Sequence, residues 1–107
     1  MNSRLKTSKD FGLSGETIEK IHKVLRNRPA IQKAVLYGSR AIGSYRPNSD
    51  IDLTFIGENL SFTDLLALDN ELDDLLLPYQ MDLSLFHFID NKDLIDHIER
   101  VGKEFYA

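Results

Sequence analysis

The sequence predicts a layered α/β domain. Apolar residues recur at helical spacing in several stretches, short apolar or alternating runs read as strands, and the two kinds alternate along the chain. Ser14 is a candidate N-cap with Glu16 in the first turn, and Ile18, Ile21, Val24 and Leu25 make the stripe of a helix closed by Pro29. Ile31 to Tyr37 reads as a strand ending at Gly38, and Ser39 to Tyr45 as a short helix. Arg46-Pro47-Asn48-Ser49 is a turn signal. Asp50 to Ile56 is the second strand, stopped by Gly57. Ser61 caps a helix through Leu77, with Leu65, Leu68, Leu72, Leu75 and Leu76 assigned to its buried face, and Pro78 ends it. Tyr79 to Phe88 reads as a third strand, and Asn91 to Gly102 as a last helix presenting Leu94, Ile95, Ile98 and Val101.

At 107 residues the chain suits one small domain over 1–107, with Met1 to Asp10 as a polar tail. Hydrophobic residues make up 42% and charged residues 28%, an ordinary globular balance. No apolar run approaches the roughly 20 residues of a membrane span, and the N-terminus lacks the apolar segment of a secretory signal. The absence of cysteine excludes disulfides and thiolate-bound zinc, and a cytoplasmic protein is expected. A net charge of −4 argues against a broadly basic nucleic-acid surface, although Arg40 and Arg46 form a local basic spot. Asp64, Asp69, Glu71, Asp73 and Asp74 read as a solvated helix face.

The chemistry concentrates between Gly38 and Asp52. Side chains alternate along a strand, so Asp50 and Asp52 share one face, about 7 Å apart, while Ile51 and Leu53 face the core. Two partly desolvated carboxylates repel, and a divalent cation removes the problem. Oxygen donors without cysteine or a nearby histidine favour Mg²⁺ or Mn²⁺. Met81-Asp82-Leu83-Ser84-Leu85 repeats the alternation. If that strand lies beside the second, Asp82 joins the acidic face and three carboxylates would hold two metals. The pattern alone leaves Asp82 open between that role and a surface aspartate, and Asp50 also suits closing the turn after Asn48-Ser49.

Gly38 ends a buried strand and starts a helix, a turn that aims N–H groups at an anion such as a triphosphate. The Ser39 hydroxyl adds a donor, and Arg40 is expected to supply charge. Gly38 and Gly43 have the spacing of a P-loop, but Ser44 stands where its lysine belongs. An EF-hand starting at Asp50 would have Phe55 at its glycine position. His22, His87 and His97 share no metal spacing and read as surface or core residues. Tyr37, Tyr45, Tyr79 and Tyr106 read as packing residues.

Through Gly38-Ser39-Arg40-Ala41 and Asn48-Ser49-Asp50-Ile51-Asp52-Leu53 the chain resembles the minimal nucleotidyltransferase (MNT) domains of the DNA-polymerase-β-like superfamily. Phe11-Gly12-Leu13, Met81-Asp82-Leu83 and the ending Ile98-Glu99-Arg100-Val101-Gly102 with Tyr106 extend the likeness over nearly the whole chain. The resemblance implies a mixed sheet flanked by helices, with Gly38 and Ser39 holding the triphosphate of ATP. It implies that Asp50 and Asp52 bind both metals, and that Asp82 binds one and helps activate an attacking hydroxyl. It further implies AMP transfer to a partner, commonly a tyrosine of a small helical HEPN toxin for which the MNT protein is the antitoxin. Larger relatives carry a second helical domain for base and acceptor, and a partner is expected to take its place. The alternatives are a stoichiometric binding module, transfer to a small molecule, and a metal-dependent glycosyltransferase. A helix face left apolar would serve the partner or a homodimer.

Overall fold

In chain order the elements are α1 (Gly15–Arg26), β1 (Lys33–Tyr37), α2 (Ser39–Ile42), β2 (Ile51–Ile56), α3 (Phe62–Asp73), β3 (Met81–Leu85), α4 (Lys92–Val101) and β4 (Lys103–Tyr106). Single 3-10 turns lie at Asp10–Gly12 and Phe86–Phe88. The computed structural model describes residues 10–107, so the expected polar tail lies, but for Asp10, outside the described residues.

The long helices start where the sequence supplies acceptors. Ser14 Oγ takes the Thr17 N–H, Ser61 and Asp64 form a reciprocal capping box, and Asn91 Oδ1 takes the Leu94 N–H. Each cap is worth about 1 kcal/mol.

The strands form one mixed sheet in the order β3-β2-β1-β4. β1 is antiparallel to both β2 and β4, whereas β2 and β3 run parallel. The α3 crossover makes that parallel pairing possible. One sheet face carries Ala34, Leu36, Leu53, Phe55 and Leu85 into a core shared with Ile21 and Leu25 of α1 and Leu68 and Leu72 of α3. Burying each large side chain contributes about 1.5–3 kcal/mol. The opposite face carries Tyr37, Asp52, Thr54, Asp82 and Ser84, and α4 covers its β1 side, where Gly102 meets Val35.

Four differences from the sequence reading have physical causes. β4 is a fourth strand, an edge strand of four residues with a bulge opposite Ala34 and Val35, too short for its period to be read. The third strand stops at Leu85, where the chain tightens into the 3-10 turn. The helix expected to run to Leu77, α3, ends at Asp73. Leu75 and Leu77 pack on the core, while Leu76, placed above on the buried face, has φ 56 and is 86% exposed. Asp64 and Glu71 are not merely solvated: the Arg28 guanidinium reaches both at 3.0 Å and ties the approach to β1 onto α3. Phe62 and Leu66, one turn apart on α3, stay 59% and 51% exposed. Among the described residues, no helix is long and apolar enough to cross a membrane.

Candidate functional site

Gly38 turns the chain from β1 into α2 with φ 77 and ψ −158, backbone that a side chain strongly disfavours. A Cβ at this position would also collide with Asp52 Oδ2. The glycine therefore lets turn and carboxylate lie in contact. Gly38→Ala is expected to cost about 2–3 kcal/mol through backbone strain and overpacking. Adding Asp52→Ala removes the collision but not the strain, so thermal unfolding of the double variant should recover part of the loss. Beyond the glycine, the Ser39 and Arg40 N–H groups open α2 and have no intrahelical partner.

The Arg40 side chain does not serve an anion at this turn. It is 1% exposed, and its guanidinium donates to the Phe11, Pro47 and Ser49 carbonyls at 2.6, 3.2 and 2.9 Å. The rings of Tyr45 and Tyr79 lie 5.3 and 4.9 Å from its Cζ. The expectation that Arg40 supplies charge to a phosphate is corrected accordingly: its side chain ties the Phe11 turn to the loop that delivers Asp50 and Asp52. Tyr45 and Tyr79 are thus more than general packing, because their faces help compensate a buried cation.

The sheet register places Asp52 directly beside Asp82 and opposite Tyr37. Neighbouring strands lie about 4.8 Å apart, so the two acids are close. Asp50 sits exposed just ahead of β2. Burial raises the Asp52 pKa above its ordinary value, with the charges of Asp82 and then Asp50 adding, and His97 opposing. Tyr37 is raised too, chiefly by burial, with Asp82 and Asp52 adding and a hydrogen bond to Ser84 opposing. Ser84 Oγ in turn donates to Thr54 Oγ1 at 2.9 Å, giving the acidic face a polar wall.

Among the described residues, no lysine or arginine forms an ion pair with Asp50, Asp52 or Asp82. Nor does any group of three acids or histidines converge tightly enough to hold an ion alone. Asp52 and Asp82 lie side by side on adjacent strands, and Asp50 flanks them from the exposed lead-in to β2. An uncompensated acidic pair still fits a hard divalent cation, since Mg²⁺ usually takes one or two carboxylates and fills its shell with water and substrate phosphates.

The sequence reading missed His97. From α4 its Nε2 accepts the Gly38 N–H at 3.2 Å, and its ring meets Tyr37 edge-on, with centroids 6.1 Å apart. It stands one residue before the buried Ile98, and no local pattern marks it as part of a site 59 residues away. His22 does match the structural reading, since its Nε2 lies 2.7 Å from the Phe105 carbonyl oxygen and joins α1 to β4.

The polymerase β nucleotidyltransferase family model matches residues 19–107, and the chain belongs to that family. Among solved structures, a toxin–antitoxin complex with AMP-PNP is similar at 27% identity and TM-score 0.69, covering 84% of this chain and 73% of that one. A mutant MntA–HpeT toxin–antitoxin complex is similar at 25% identity and TM-score 0.67, covering 84% and 72%. A tri-AMPylated Shewanella oneidensis HEPN toxin in complex with an MNT antitoxin shares the fold at 24% identity and TM-score 0.64, covering 86% and 71%. A comparison with the curated proteins finds no match.

Proposed function

We propose that this chain transfers AMP from ATP to a hydroxyl of a partner protein, as the cytoplasmic antitoxin of a pair with a small helical HEPN-type toxin. The observation that carries the reading is the contact between the Gly38 corner and the Asp52 carboxylate, with Asp82 in register on the next strand. Membership of the family and the likeness to a toxin–antitoxin complex with AMP-PNP support it.

Ser39, by its hydroxyl and N–H, and the Arg40 backbone N–H would hold the triphosphate. Asp50, Asp52 and Asp82 would hold Mg²⁺ or Mn²⁺, which when bound offsets triphosphate charge and polarises the α-phosphorus. The acceptor oxygen attacks the α-phosphorus in line, and the new P–O bond forms as the bond to pyrophosphate breaks. Pyrophosphate leaves with the electron pair. Asp82 would accept the hydroxyl proton; its exposure on the edge strand supports that role.

The test incubates the chain with α-labelled ATP, Mg²⁺ and the protein encoded beside it. Label is expected on the partner, together with loss of its toxicity. An unlabelled partner alongside full protection by Asp52→Ala would end the enzymatic reading. That result would favour the second one, neutralisation by contact alone, for which the exposed Phe62 and Leu66 of α3 speak. Under that reading Asp50→Asn with Asp52→Asn still protects cells.

A further inference from the structure

We propose that His97 is a positioning residue of the nucleotide site, gripping the Gly38 corner so that the Gly38–Ser39 turn is set before nucleotide arrives. The inference rests on the nucleotidyl-transfer reading above and goes beyond it, because it assigns a role to a helix that carries none of the expected nucleotide or metal ligands.

Gly38 is held from two sides. Asp52 Oδ2 occupies the space where a Cβ would stand, and His97 Nε2 takes the N–H. A ring nitrogen that accepts an N–H bond carries no proton, so the hydrogen of the neutral imidazole resides on Nδ1. The edge-on Tyr37 ring supports the imidazole, and Tyr37 is itself held in β1 opposite Asp52. Because Gly38 has access to more backbone conformations than any other residue, a turn built on it stays ordered only if something external fixes it. His97 supplies that constraint from α4, a helix anchored by the buried Ile98 and by Gly102 against Val35. The Gly38 N–H is thereby committed to the protein, leaving the Ser39 and Arg40 N–H groups to face a phosphate. A preset turn binds more tightly because less ordering remains to be done on binding.

The experiment compares wild type, His97→Leu and His97→Gln. Leucine keeps the volume without an acceptor, while the glutamine side-chain oxygen reaches about as far as Nε2. His97 is only half-buried, so both variants are expected to fold, and thermal unfolding checks this. In wild type the Gly38 amide should exchange slowly with solvent, and nitrogen NMR should show the hydrogen of the neutral imidazole on Nδ1. In His97→Leu the Gly38 amide should exchange faster, and the Kd for ATP–Mg²⁺ should rise about five- to tenfold, the loss of one hydrogen bond. His97→Gln should restore both readouts to near wild type. Wild-type affinity in folded His97→Leu, or no recovery in His97→Gln, overturns the role of His97 while leaving the nucleotidyl-transfer reading intact. Failure of the wild-type chain to bind ATP–Mg²⁺ overturns that reading, and this inference with it.

Discussion

Asp52→Asn is expected to abolish nucleotidyl transfer and to stabilise the fold at neutral pH. The amide keeps the shape of the carboxylate against Gly38 but removes the charge that a divalent cation needs. Loss of one such electrostatic contact in a preorganised site costs several kcal/mol of transition-state stabilisation, on the order of a thousandfold in rate. Stability moves the other way. Burial and the charges of Asp82 and Asp50 raise the Asp52 pKa, so the native state keeps this proton to higher pH than the unfolded chain does. Between those two points the native state binds more protons, and stability falls as pH rises. The penalty is absent below about pH 4 and fully developed once pH exceeds the native pKa. Wild type should therefore lose stability across that window through Asp52, and Asp52→Asn should lose less. Thermal melts from acid to neutral pH, with and without Mg²⁺, check both halves. Mg²⁺ is expected to raise the wild-type Tm at neutral pH and to leave that of the variant nearly unchanged.

Arg40→Leu is expected to produce the largest loss of stability in the chain. Its guanidinium satisfies three carbonyls of segments that otherwise share no backbone ladder. Leucine would leave those acceptors without their charged donor and the two tyrosine faces without their cation. The expected cost is about 3 kcal/mol or more. At about 4–8 °C per kcal/mol for a domain of this size, calorimetry would record a large fall in Tm. Arg40→Lys should fall nearly as far, because one ammonium cannot reproduce the planar fork. Wild-type stability in either variant would contradict the structural role of this side chain.

How far the sequence could be read depended on the range of each interaction. Gly38 was legible because a glycine between an apolar strand and a serine is a local statement about backbone. The pairing of Asp82 with Asp52 followed from two alternating strands of equal parity once they were set side by side. The partners of Arg40 are not legible, because nothing local distinguishes a cation aimed at solvent from one aimed at carbonyls of residues 11, 47 and 49. Leu76 failed for a similar reason. Helical spacing continues through Leu75, Leu76 and Leu77, and only docking on the core decides where the helix unwinds. His97 is invisible in the sequence because its partner is a backbone N–H 59 residues away, which leaves no trace in composition or period. Charge placement was read only coarsely. The acids of α3 looked uniformly solvated, yet Arg28 selects two of them.

The parallel pairing of β2 and β3 has a consequence for how this chain assembles. Antiparallel β1 and β2 are joined by a short excursion, but Asp82 reaches Asp52 only after α3 has crossed over and docked. The acidic pair is therefore a non-local contact, and its geometry depends on how the crossover seats β3 beside β2. The Arg28 fork, which contacts neither acid, helps to hold that crossover helix against the approach to β1.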